Sequence, residues 1–110
     1  MMQERPWGFY KVLEETATYK VKYIKVLAGQ RLSYQKHEKR SEHWMIISGY
    51  PSITIDGNNS VFFAGNSIDI PAGTLHRIAA TEIPVEFIEI QTGNYFGEDD
   101  IQRIEDDYGR

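Results

Sequence analysis

The stretch Tyr19 to Leu27, YKVKYIKVL, alternates from residue to residue. In an extended chain, residues two apart share a face. Lys20, Lys22, Ile24 and Val26 therefore line one side, and Val21, Tyr23, Lys25 and Leu27 the other. HWMIIS, SITID, SVFFA, NSIDIP and VEFIEI are also short and rich in Ile, Val and Phe. Turn signals separate them at Ala28-Gly29, Gly49, Asp56-Gly57-Asn58-Asn59, Ala64-Gly65-Asn66 and Pro71-Ala72-Gly73. The Asp56-Gly57 pair between two such segments predicts a hairpin. Many short strands at regular spacing predict an all-β sandwich or barrel.

The pattern changes near the C-terminus. In GEDDIQRIEDDYGR, Ile101, Ile104 and Tyr108 fall at helix-like spacing. Glu98, Asp99 and Asp100 crowd what would be the first turn, where the helix macrodipole favours acids. This predicts one short C-terminal helix. A chain of 110 residues, with no repeat, low-complexity tract or linker, suits a single domain over 1–110.

Composition removes several function classes. There are no cysteines, which excludes disulfides, thiolate zinc sites and thiol catalysis. The net charge is -4 and no Lys/Arg run occurs, so nothing points to nucleic acid. No apolar stretch is long enough to span a bilayer, and the start MMQERPWGFY lacks the apolar run of a signal peptide. The expected location is cytoplasmic.

The chemistry concentrates in GQRLSYQKHEKRSEHWMIISG, Gly29 to Gly49. Gln35 and His37 share a face, with Glu42 just beyond a short turn. Glu42 and Trp44 share a face too, which leaves His43 on the opposite one unless a bulge intervenes. His76 follows a Pro/Gly turn in PAGTLHR. Imidazole nitrogen, carboxylate and amide oxygen suit a borderline divalent cation such as zinc. A solvated charged loop is the competing reading of the same residues.

Spacing favours the metal reading. Gly29 is followed by five residues, Gln35-x-His37, four residues, Glu42, six residues and Gly49. Gly65 is followed by five residues, Pro71-x-Gly73, two residues and His76. These runs resemble the two motifs of the cupin superfamily, with Gln35 in place of a first His and Ala80 in place of a final Asn. RPWGFYKVL, RSEHW, IPAGTLHR and IPVEFIEIQTGNYFGEDDIQRIEDDYGR further resemble the C-terminal cupin domain of bifunctional mannose-6-phosphate isomerase/mannose-1-phosphate guanylyltransferases. That likeness covers nearly the whole chain, and Gln is usual there at the position of Gln35. Lys39 departs from the family's histidine-rich run, as Ala80 departs from its Asn. No Gly-rich nucleotide loop is present, so the resemblance implies the isomerase half alone.

The resemblance implies a double-stranded β-helix, the cupin or jelly-roll barrel, with a divalent metal in its mouth. Gln35, His37, Glu42 and His76 are its implied ligands. Zinc suits them, and manganese, iron, cobalt or nickel would fill the same donors. The implied reaction interconverts mannose 6-phosphate and fructose 6-phosphate.

Lys22, on the face of Ile24 and Val26, is a candidate base or phosphate clamp; an outward, solvated Lys22 is equally compatible with alternation. Arg40 and Arg77 flank ligand positions, with surface arginine as the plain alternative. His43 is a candidate through the Arg-x-Glu-His-Trp run. Arg103 and Arg110 are candidates for binding the phosphate from a folded-back tail, against a solvated tail whose arginines only balance Asp99, Asp100, Asp106 and Asp107. Trp44, with Trp7 and Phe87, reads as core or wall, with Trp44 the candidate to touch substrate. A cupin enzyme acting on another sugar or nucleotide-sugar, and a sugar-binding cupin without catalysis, are the alternatives. A homodimer is expected, because the strand-like WGFYKVL would offer an edge to pair.

Overall fold

Alternation in YKVKYIKVL is realised in β3 (Tyr19–Val26), whose Lys22, Ile24 and Val26 are buried. Lys22 therefore points into the barrel. The computed structural model describes residues 2–109, in which every regular element is a strand. Around β3 lie β1 (Met2–Arg5), β2 (Gly8–Glu15), β4 (Tyr34–Lys36), β5 (Arg40–Ser48) and β6 (Ser52–Ile55). Then come β7 (Asn58–Val61), β8 (Ser67–Ile70), β9 (His76–Ala79), β10 (Val85–Gly93) and β11 (Gln102–Glu105). Two antiparallel sheets result, in the orders β1-β2-β3-β10-β5-β8 and β11-β4-β9-β6-β7.

The inner faces meet in a core of Trp7, Ile24, Val26, Trp44, Ile46, Ile53, Ile70, Ile78, Val85 and Phe87. Each such side chain contributes on the order of 1.5–3 kcal/mol on burial. Stability thus comes from this apolar core, of which Trp7, Ile24 and Trp44 also wall the polar cavity.

The Asp56-Gly57 hairpin forms as expected, joining β6 to β7. Both residues have positive φ, 46° and 83°, the requirement of a tight primed turn. Gly49, which ends the first motif, has φ 90°, and a Cβ there would lie 2.6 Å from the Pro84 carbonyl oxygen.

The expected C-terminal helix is absent among the described residues. Residues Gln102–Glu105 form β11 and pair with β4 instead. A helix this short is marginal on its own, and the open edge of β4 offers the same backbone a ladder. Barrel arginines then hold the extended chain. Arg77 donates to the Glu105 carboxylate (2.9 Å) and carbonyl (3.2 Å), and Arg31 grips Asp107 with two bonds of 2.6 and 2.8 Å. Ile104, which a helix would have docked, is exposed.

The edge expected of WGFYKVL is filled within the chain. Strand β2 pairs β1 on one side and β3 on the other, so the edge strands of this sheet are β1 and β8. Among the described residues, no helix is long and apolar enough to cross a membrane.

Candidate metal centre

Two rows of side chains cross the barrel mouth. On the six-stranded sheet, Lys22, Glu89 and Trp44 sit side by side on β3, β10 and β5, and Gln91 lies opposite Glu42 in the next row. On the facing sheet, Arg103, Gln35 and His76 are neighbours across β11, β4 and β9. His37 lies just past β4. These side chains, Gln91 excepted, line one cavity together with Arg5, Tyr10, Ser33, Arg40, Glu98 and Ile101.

His37, Glu42 and His76 are all buried, and their donor atoms lie within 4.8 Å of one another. Each histidine is oriented by the main chain. Nδ1–H of His37 donates to the Asp100 carbonyl at 2.7 Å, and Nδ1–H of His76 to the Thr74 carbonyl at 2.9 Å. A carbonyl only accepts, so both rings carry their proton on Nδ1 and leave Nε2 as a lone pair. Both Nε2 atoms face Glu42, at 3.3 Å for His37 and 3.7 Å for His76. Four donors around a tetrahedral ion at roughly 2.0–2.1 Å lie about 3.3 Å apart, so the spacing fits. The donor types and the outer hydrogen bonds fit as well, since metal-bound His ordinarily donates its other N–H to a carbonyl or carboxylate. Gln35 lies directly opposite His76 and lines the same cavity.

The surroundings are cationic and aromatic. Arg40 donates from Nε to Glu42 Oε2 and from Nη2 to His37 Nε2, both at 3.0 Å. Burial, and then the Arg40 cation, pull the His37 imidazole down to about 4. Trp44 packs edge-on to His76 and donates Nε1–H to both Glu42 (3.1 Å) and Glu89 (3.2 Å). Lys22 Nζ lies 4.3 Å from the Tyr10 ring centre and 3.8 Å from Glu98.

The family described as mannose-6-phosphate isomerase C-terminal matches residues 2–106. The chain belongs to that family. It is 45% identical over 107 residues to the alginate biosynthesis protein AlgA of Pseudomonas aeruginosa, covering 96% of this chain and 22% of that protein. It is 41% identical to the mannose-1-phosphate guanylyltransferase of Escherichia coli K12, with the same coverage. It thus spans about a fifth of the length of these relatives. Its fold is similar to the cupin domain of Schizosaccharomyces pombe Cnp3, with a TM-score of 0.77 at 13% identity, covering 84% of this chain and 68% of that one. The barrel is a cupin, as the motif spacing led us to expect.

Within this cupin, the mouth gathers most of the expected site residues. Gln35, His37, Glu42, His76, Lys22, Arg40, Trp44 and Arg103 all line the cavity. His43 does not. It sits on the outer face with Nδ1 2.5 Å from Asp69, as alternation placed it. Arg77 does not either; it turns away from His76 to the Leu32 carbonyl (2.9 Å) and Glu105. The tail acids Glu105 and Asp107 balance barrel arginines rather than those of the tail. Lys39 stacks on Tyr95 (4.8 Å) and stays off the donor set. Arg110 lies outside the described residues.

Three groups escaped sequence reasoning. Glu89 is buried between Lys22 and Trp44. Its signal was present: in VEFIEIQ it falls in phase with the core residues Val85 and Phe87. Ser33 is buried against the cavity with an unpartnered hydroxyl, which is a free handle for a polar ligand. Asp100 supplies the carbonyl that orients His37, while its carboxylate accepts the Glu38 (3.1 Å) and Lys39 (2.9 Å) amides. No spacing rule joins positions so distant in sequence.

Proposed function

We propose that this chain is a divalent-metal-dependent aldose–ketose isomerase that interconverts mannose 6-phosphate and fructose 6-phosphate. The observation that carries the reading is the pair of main-chain-oriented histidines. Their Nε2 lone pairs converge with Glu42 inside a cavity lined by Arg5, Lys22, Arg40 and Arg103. A metal held by Gln35, His37, Glu42 and His76, zinc by donor type, would polarise the sugar carbonyl and stabilise charge on its oxygen.

The chain's own residues supply the rest. Arg40 and Lys22 bring positive charge to buried positions, where it acts on developing negative charge through little intervening water. Arg103 stands at the mouth on β11, where a guanidinium fork suits a phosphate. The Trp44 indole forms an apolar wall, and the Ser33 hydroxyl offers a hydrogen bond to a sugar hydroxyl. A cytoplasmic location goes with this reading, because a phosphorylated sugar does not cross a bilayer unaided.

A second reading, a cupin acting on a nucleotide-linked sugar, draws support from the guanylyltransferase name of the Escherichia coli relative. Incubating the metal-loaded protein in heavy water with mannose 6-phosphate, other sugar phosphates and GDP-mannose separates the two. The isomerase reading expects deuterium at C2 of mannose 6-phosphate and at C1 of fructose 6-phosphate. Exchange confined to GDP-mannose would replace it with the second reading.

A further inference from the structure

We infer that Glu89 is the base that moves the proton between C1 and C2. The inference rests on the isomerase reading above. Isomerisation needs one group in the cavity that can accept a proton from carbon and return it to the neighbouring carbon. The cavity holds few candidates. The oxygens of Glu42 face the two histidines and accept from Trp44 and Arg40, so this carboxylate is committed to the donor set. The lone pairs of His37 and His76 belong to the same set. Arginine does not give up its proton in proteins. Glu98 is largely exposed at the mouth, where it pairs with Lys22, and the Lys22 ammonium rests on the Tyr10 ring.

Glu89 remains. It is 6% exposed, lines the cavity, and is not one of the converging donors. Gln91 Nε2 donates to its Oε1 at 2.6 Å and Trp44 Nε1 to its Oε2 at 3.2 Å, so the carboxylate is fixed in direction. Trp44 Nε1 also bonds Glu42, which sets Glu89 one indole N–H away from the donor set.

The balanced step is as follows. A Glu89 oxygen takes the proton from C2 of the aldose. The C2–H electron pair becomes the C1–C2 double bond, and the carbonyl π pair moves to O1, giving an enediolate. The proton on O2 passes to O1. Glu89 then returns its proton to C1 as the O2 pair closes the C2 carbonyl. C1 is reduced, C2 is oxidised, and no outside reagent is consumed.

The test compares wild type, Glu89→Gln and Glu89→Asp as full chains loaded with zinc. Zinc content, fructose 6-phosphate binding, melting temperature and deuterium exchange are measured on each. Glu89→Gln keeps the shape and removes a buried charge, so zinc and sugar binding are expected within about threefold of wild type. Exchange is expected to fall by roughly 10²–10⁴-fold. Glu89→Asp, which withdraws the carboxylate by one methylene, is expected to lose at least tenfold while folding and binding zinc normally. It carries the test if the Gln variant does not fold. Exchange within a few-fold of wild type in either folded, zinc-bound variant would overturn the assignment and leave the isomerase reading standing. A zinc-loaded wild type that neither exchanges nor converts any sugar phosphate would overturn the isomerase reading, and this inference with it.

Discussion

His37, just past β4, and His76, at the start of β9 on the same sheet, use the same atoms in the same way. Each gives Nδ1–H to a main-chain carbonyl and keeps Nε2 for the cavity. Removing one ring should therefore empty the site and spare the barrel, whose core is Ile, Val, Phe and Trp. His76→Ala is expected to lose zinc binding by at least 100-fold with an unchanged circular dichroism spectrum. An unfolded variant would make the metal structural instead. The depressed His37 imidazole makes a pH prediction. Its folded value is about 4, against 6.5 for an unperturbed ring. The folded protein binds fewer protons between those values, so this contribution is complete above pH 6.5 and is lost as pH falls through the window to 4. Its size is about 3 kcal/mol. Chelator-treated wild type should lose that much more stability than His37→Gln between pH 7 and pH 4 in parallel denaturant titrations. Equal losses would assign acid lability to other groups. At this scale the cluster of His37, Glu42 and His76 was legible, because two spacing motifs carry it. Glu89 and Asp100 were not, since their importance comes from cross-strand neighbours and from a tail that returns to the mouth.

Elements divide in the same way. Strands such as β3 could be read from alternation, and the β6–β7 turn from Asp56-Gly57, because both signals are local. The C-terminal segment could not. Its apolar residues sit at helical spacing, but the free edge of β4 and the two barrel arginines draw it into β11. Arg77 and Arg103 now separate two jobs once assigned to one site. Arg77 is a brace: Arg77→Met loses three hydrogen bonds from a buried guanidinium and should cost about 1–3 kcal/mol in denaturant unfolding. Its zinc affinity should stay within about threefold of wild type. A variant as stable as wild type would show that the tail needs no such anchor. Arg103 is exposed at the mouth. Arg103→Ala should raise KM for a sugar phosphate more than tenfold while moving the melting temperature by less than a few degrees. Unchanged kinetics would pass the phosphate to Arg5, Lys22 or Arg40.

For the whole molecule, the cupin barrel was legible because short alternating strands and two fixed motif spacings mark it, whereas oligomeric state is not encoded in any local pattern. A homodimer remains our proposal, now resting on the outer face and the edge of β1 rather than on β2. Phe9, Leu13, Tyr23 and Ile88 line a groove on the outside of the six-stranded sheet, and exposed Met45 pairs Ile88 in register. Lys11 and Glu86 border the same groove, and a second copy of the chain would cover its apolar part. Light scattering at high micromolar concentration should give twice the 12.7 kDa of one chain, and a monomer would rule the dimer out. We propose the mouth of this cupin as a metal-dependent isomerase site. It is tested most directly by deuterium uptake into mannose 6-phosphate and fructose 6-phosphate, measured on stripped protein as zinc is titrated back. The account predicts no exchange without metal, and exchange that rises with zinc and saturates at one ion per chain. Exchange that ignores the metal, or none at all with one zinc bound per chain, would contradict it.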